Sequence, residues 1–221
     1  MRESRVHFES DYSLEGVLHQ PDGETVQGAI VVCHPHPLYG GNMDYHIVRG
    51  VAQACAAQGI AALRFNFRGV EGSEGQYEGG PGEVRDVEAA LGYLRHQAGE
   101  RVPLGLAGYS FGSLVSARYV ANGGHVNALA LIAFAVKWDG FNPDDYAGLE
   151  QYEKPLLVVV GGHDEFGPPA DVEATLLRLR ARGQVIAFPE SDHFFWNVTK
   201  ALRETVASFF AQAFSAETAS L

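Results

Sequence analysis

Three stretches of the chain are apolar at almost every position: GAIVVC at 28–33, ALALIAFAV at 128–136 and PLLVVV at 155–160. A strand with one wet face alternates apolar and polar residues, whereas a strand covered on both faces reads as a continuous apolar run. The chain must therefore build a sheet with a layer on each side. Helical patterns lie between the strands. Residues 43–58 are rich in alanine and stop at Gly59, and EVRDVEAALGYLRHQ at 83–97 sets Val84, Val87, Ala90 or Leu91, and Leu94 at helical spacing. Residues 110–120, 171–183 and 197–213 read as further helices. IAALRFNF at 60–67, PLGLAGY at 103–109 and QVIAFP at 184–189 read as further strands.

This order predicts a mostly parallel eight-stranded sheet with helices on both faces. SRVHFES at 4–10 and LEGVLHQ at 14–20 are joined too closely for a crossover, so they form an antiparallel N-terminal edge. No repeat or linker divides the chain, which is expected to form a single domain over residues 1–221. A formal net charge of −11 sets it against phosphate backbones and excludes nucleic acid as a partner. No stretch reaches the roughly 18 to 20 apolar residues of a membrane span, and MRESRVHFES has no signal-like apolar core. Cys33 and Cys55, the two cysteines, sit in apolar runs and read as buried hydrophobes. The expected compartment is the cytoplasm.

In open α/β sheets, sites form at the carboxyl ends of the strands. One such end carries Gly108-Tyr109-Ser110-Phe111-Gly112, a G-x-S-x-G between strand and helix. A sharp turn there holds the serine in a strained conformation, and the glycines two positions away avoid collision across the turn. The following helix directs free N–H groups and its positive end toward the hydroxyl. A serine needs a base. His34, His36, His163 and His193 fall at strand ends, and His193 comes last, as the Ser…Asp/Glu…His order of this architecture requires. Asp164, after PLLVVVGGH, is preferred as the carboxylate that orients His193, with Glu165 the rival and Asp192 expected to point away. Two backbone donors are needed for an oxyanion. Phe111 N–H is one. In HPHPLYGG at 34–41 the prolines have no N–H, which leaves His36 first and Leu38 second.

HPHPLYGG, RFNFRG at 64–69, the GxSFG elbow, DE at 164–165 and HFF at 193–195 together resemble the small predicted hydrolases of the α/β-hydrolase superfamily, the lidless carboxylesterase or dienelactone-hydrolase-like kind. The resemblance runs from about residue 28 to residue 213. It implies the α/β-hydrolase fold and a serine carboxylesterase acting on a small-molecule ester with triad Ser110, Asp164 and His193, without a cofactor or metal. The loop before Asp164 reads GGHDE, where many relatives have an acidic residue after the first glycine. Many lipases and epoxide hydrolases insert a helical cap after the sixth strand. Here KWDGFNPDDYAGLEQYEK is too short for one, so an open site without a cap domain is expected. Tyr39, Phe111, Trp138, Phe194 and Trp196 are candidate pocket aromatics, and Arg64, Asn66 and Arg68 are expected to anchor the glycine-rich loop RGVEGSEGQYEGGPGE. Two other readings stand beside this one: a metal-dependent hydrolase using His34 and His36, and a non-catalytic domain that retains the fold.

Overall fold

The computed structural model describes residues 1–23 and 26–218. The strands are β1 (Arg2–Glu9), β2 (Ser13–Gln20), β3 (Gly28–Cys33), β4 (Ile60–Phe65), β5 (Leu104–Tyr109), β6 (Ala128–Ile132), β7 (Leu156–Gly161) and β8 (Gln184–Phe188). The helices are α1 (His46–Ala57), α2 (Pro81–Ala98), α3 (Phe111–Ala121), α4 (Pro169–Arg178) and α5 (Thr199–Thr218). The sheet order is β1-β2-β4-β3-β5-β6-β7-β8. β1 pairs antiparallel with β2, and β2 antiparallel with β4, while every pair from β4 to β8 is parallel. The eight strands and the antiparallel edge match the sequence expectation.

The apolar runs have the predicted physical cause. In β3, Ala29, Val31 and Cys33 face the core under α2, α3 and α4, and Ile30 and Val32 face the core under α1 and α5. All residues of β3, β4, β5, β6 and β7 are buried. Among the described residues, no helix is long and apolar enough to cross a membrane. Cys33 and Cys55 are free and buried, and burial pushes the Cys33 thiol up to about 12.

β6 is shorter than its apolar run. The chain turns at Ala133, whose φ is 51°, and its N–H donates to the Val159 carbonyl at 2.8 Å. Residues 133–136 remain buried, so apolarity there reflects the floor of a loop rather than more strand. The segment from there to β7 contains only short 3-10 turns over Pro143–Gln151, whose Tyr146 and Leu149 are buried. No cap domain rises above the sheet among the described residues.

The connections that reach the site end are tied down by polar networks. Arg68 is fully buried and donates to Asp86 through Nε at 3.0 Å and Nη2 at 2.8 Å, and it also pairs with Glu78 and Asp11. Asn66 donates to Glu71 at 3.0 Å and accepts from the Met43 N–H at 2.7 Å. These two anchor the glycine-rich loop as expected. Arg64 does not. It donates to His19 Nε2 at 2.9 Å and pairs with Asp44, because its side chain leaves β4 toward β2 and the start of α1. Removing one partner of a buried ion pair strands the other charge. Arg68→Met is therefore expected to cost about 3–5 kcal/mol in urea unfolding. A loss below about 1 kcal/mol would contradict this reading of the network.

Candidate active site

β4 and β5 flank β3, so the chain order reverses at β3, and the loops after β3 and β5 stand side by side at the carboxyl edge. Ser110 lies between β5 and α3 with φ 54° and ψ −118°. Such a conformation costs a non-glycine residue about 1–3 kcal/mol and persists only where its surroundings fix it. Here the Ser110 N–H donates to the Ile132 carbonyl at 2.8 Å. Its carbonyl accepts from the Ser113 and Leu114 N–H groups at 2.9 and 3.2 Å and from Ser113 Oγ at 2.6 Å. A Cβ on Gly108 would lie 2.1 Å from the Gly112 oxygen, the collision across the turn that the motif implies. Gly112 is required for a different reason: its Cβ would strike the Cys33 and His34 carbonyls at 2.5 and 2.6 Å. The second glycine lets α3 sit against the end of β3.

Three predicted side chains meet. His193 Nε2 is 2.9 Å from Ser110 Oγ, and His193 Nδ1 is 2.8 Å from Asp164 Oδ2. The Nδ1–H donates to the carboxylate, which leaves Nε2 free to accept the serine proton. The other Asp164 oxygen accepts from the Phe166 and Gly167 N–H groups at 2.9 and 3.0 Å, so the buried carboxylate is held on both sides. Glu165 is exposed, and the exposed Asp192 caps the Phe194 N–H at 2.9 Å instead of reaching the ring. At the departure in GGHDE, a Cβ on Gly162 would lie 2.2 Å from the Pro189 oxygen, so the close approach of the β8 loop forbids an acidic side chain.

The β3 loop is curled about His36. The Tyr39 and Gly41 N–H groups both donate to the His36 carbonyl at 3.1 Å. His36 Nδ1 accepts the Leu38 N–H at 3.2 Å, and Nε2–H donates to Tyr77 Oη at 3.0 Å. The Leu38 donor is thus occupied. The His36 and Phe111 N–H groups donate to no acceptor among the described residues. Burial lowers the His36 pKa, in keeping with a neutral ring that both accepts and donates. His34 is fully buried, and burial lowers it to about 4. Its Nε2 accepts the Phe67 N–H at 3.0 Å and its Nδ1–H donates to the Pro35 carbonyl at 2.6 Å. All four ring nitrogens of His34 and His36 are engaged within the protein, so the donor set does not fit a metal ion.

A hollow of about 260 Å³ opens beside Ser110. Of the candidate aromatics, Tyr39, Phe111, Trp138 and Phe194 line it. Trp196 does not: it stacks on His46 at 3.8 Å, and that contact turns it away. Phe166, Tyr45 and Ala135 line the hollow without having been foreseen. Phe166 had a signal, since it lies two residues beyond Asp164; Tyr45 precedes α1 and had none. Tyr109, inside the elbow motif itself, donates its buried hydroxyl to the His193 carbonyl at 3.0 Å.

A sequence profile described as an alpha/beta hydrolase domain matches residues 28–219. A structure of an alpha-beta serine hydrolase homologue from Coxiella burnetii is 33% identical, with 94% of this chain and 97% of that one covered at a TM-score of 0.83. The chain belongs to the α/β-hydrolase family. A serine hydrolase without a lid from Xanthomonas campestris is 28% identical over 96% of this chain and 95% of its own, at a TM-score of 0.81. An uncharacterised protein of Rickettsia prowazekii is 29% identical over 184 residues, 81% of this chain and 76% of that protein. The sheet order, the covered faces and the missing cap are those of this hydrolase fold. Within it, Tyr109→Phe leaves the His193 carbonyl buried without its donor, and chemical denaturation is expected to register a loss of about 1–2 kcal/mol. An unchanged midpoint would mean that the hydroxyl does not hold the His193 loop.

Proposed function

We propose that the protein is a serine hydrolase of small carboxylic esters that works through an acyl-enzyme, with Ser110 as nucleophile, His193 as base and Asp164 as its orienting carboxylate. The observation that carries this reading is the unbroken line from Asp164 Oδ2 through His193 to Ser110 Oγ, at 2.8 and 2.9 Å, ending on a serine held at φ 54°. Such a serine is presented rather than packed. The serine hydrolases among its relatives support the same class.

In this mechanism Ser110 Oγ attacks the ester carbonyl carbon while His193 Nε2 takes its proton. The Asp164 carboxylate stabilises the imidazolium and stays ionised. The negative charge on the former carbonyl oxygen is received by the Phe111 and His36 N–H groups, both free of other acceptors. Collapse breaks the bond to the alkoxy oxygen, and His193 returns the proton to the departing alcohol. Water, deprotonated by the same ring, then attacks the acyl carbon; collapse breaks the bond to Ser110 Oγ, His193 returns the proton to that oxygen, and the acid is released. The hollow favours short acyl groups over long chains, since about 260 Å³ with no cap above it offers little apolar cover.

A series of p-nitrophenyl esters of graded acyl length tests this. Turnover is expected to fall from butyrate toward longer chains. Ser110→Ala is expected to lower kcat at least about 10⁴-fold, and Asp164→Asn about 10³- to 10⁴-fold. Residual turnover in Ser110→Ala close to that of the parent would refute the assignment.

A further inference from the structure

Aromatic rings border the Ser110 hollow in a continuous arc. Between centroids, Tyr39 and Trp138 are 5.7 Å apart, Trp138 and Phe166 6.0 Å, Phe166 and His193 4.9 Å, and His193 and Phe194 5.6 Å. The successive interplanar angles are 85°, 50°, 64° and 88°, so no neighbours in the arc stack face to face. Rings stacked on each other consume their faces. Rings met edge-on or at a tilt keep faces and edges available, and aromatic pairs prefer these geometries at centroid separations of about 4.5–7 Å. A flat guest can therefore join the arc at the spacing its members already keep. Large rings stand in water here: Tyr39 is 75% exposed and Phe194 43%. Exposed apolar clusters of this kind mark binding surfaces.

Charge narrows the guest further. Among the described residues, no Lys, Arg, Asp or Glu lines the hollow. A carboxylate or ammonium on the substrate would meet no counter-charge there and would displace the aromatic contacts that an uncharged group keeps. The volume of about 260 Å³ lies just under the usual range for drug-sized ligands, about 300–1,000 Å³, and suits one ring with its ester group.

Resting on the hydrolytic reading above, we infer that the preferred substrates are uncharged esters that carry an aromatic ring within one or two bonds of the ester group. The ring sits against the arc formed by Tyr39, Trp138, Phe166 and Phe194, and it positions the carbonyl over Ser110. Nothing in this preference depends on apolarity alone, which separates it from a merely greasy pocket.

Methyl phenylacetate and methyl cyclohexylacetate provide the test. They share a carbon skeleton; the electron-withdrawing, flatter phenyl ring makes its carbonyl intrinsically the more reactive, so each kcat/KM is compared after division by that ester's own rate constant for hydroxide hydrolysis. The saturated ring is the bulkier and more hydrophobic. With the wild-type chain, kcat/KM is expected to be at least about fivefold higher for the phenyl ester, and Trp138→Leu is expected to reduce that ratio to below about twofold. Equal rates, or preference for the cyclohexyl ester, would overturn the inference. The same pair is titrated by calorimetry into Ser110→Ala, which retains the arc but lacks the nucleophile. The phenyl ester is again expected to bind about fivefold tighter, and no preference there would overturn the inference as well. Labelling of the wild type with a fluorophosphonate separates the two claims. An unlabelled Ser110 with no ester turnover defeats the hydrolytic reading, while the binding preference of Ser110→Ala still decides the aromatic one.

Discussion

The site depends on one strained peptide unit. Ser110 stands in a region of backbone space that its side chain disfavours, and both its amide and its carbonyl are fixed by hydrogen bonds to β6 and the first turn of α3. The strain is tolerated because those partners, Ile132 in β6 and Ser113 and Leu114 in α3, are themselves buried. Gly108 and Gly112 make this possible from opposite sides, one by clearing the turn and the other by letting α3 meet the end of β3. The result is a hydroxyl lifted off the sheet edge with free N–H groups beside it. A serine in an ordinary turn would have neither.

Around that point each loop is held by hydrogen bonds of its own. The Asp164 loop is closed by two amides on the carboxylate, the His36 loop by its own carbonyl and by Tyr77, and the His193 loop by Tyr109. Tyr109 is notable for its position, since the residue before Ser110 also holds the loop of His193. A single strand end thereby sets the separation of Ser110 and His193. Sites built on rigid elements keep their geometry better than sites on free loops, and here the loops are made rigid by the strands they leave.

The expected outcomes above rest on contacts of unequal legibility in the sequence. Strands β3, β5 and β7 could be read because two-sided burial writes itself as uninterrupted apolar residues. The meeting of Ser110, Asp164 and His193 could be read because Ser110 directly follows β5, Asp164 and His193 lie in the loops after β7 and β8, and their order along the chain is restrictive. The end of β6 was overextended because a buried loop floor and a buried strand share the same composition, and only the positive φ at Ala133 separates them. Arg64 and Trp196 were misassigned for another reason. Their partners, His19 and His46, lie far away in sequence, and local pattern carries no record of such pairs. Tyr45 joins the pocket wall through the same kind of distant convergence, whereas Phe166 follows from its place beside Asp164. The elements were thus legible from burial and the meeting of Ser110, Asp164 and His193 from strand ends, while the side-chain partnerships between loops belong to the folded state alone.

The central claim is that Ser110 becomes covalently acylated during turnover. Rapid-quench mass spectrometry of the intact chain mixed with excess p-nitrophenyl butyrate measures this directly, with Ser110→Ala as the parallel sample. The account predicts a transient gain of one butyryl group per chain, mapped to the peptide that contains Ser110 and absent from the variant. Release of acid with no such adduct, or an adduct of equal size in Ser110→Ala, would contradict it.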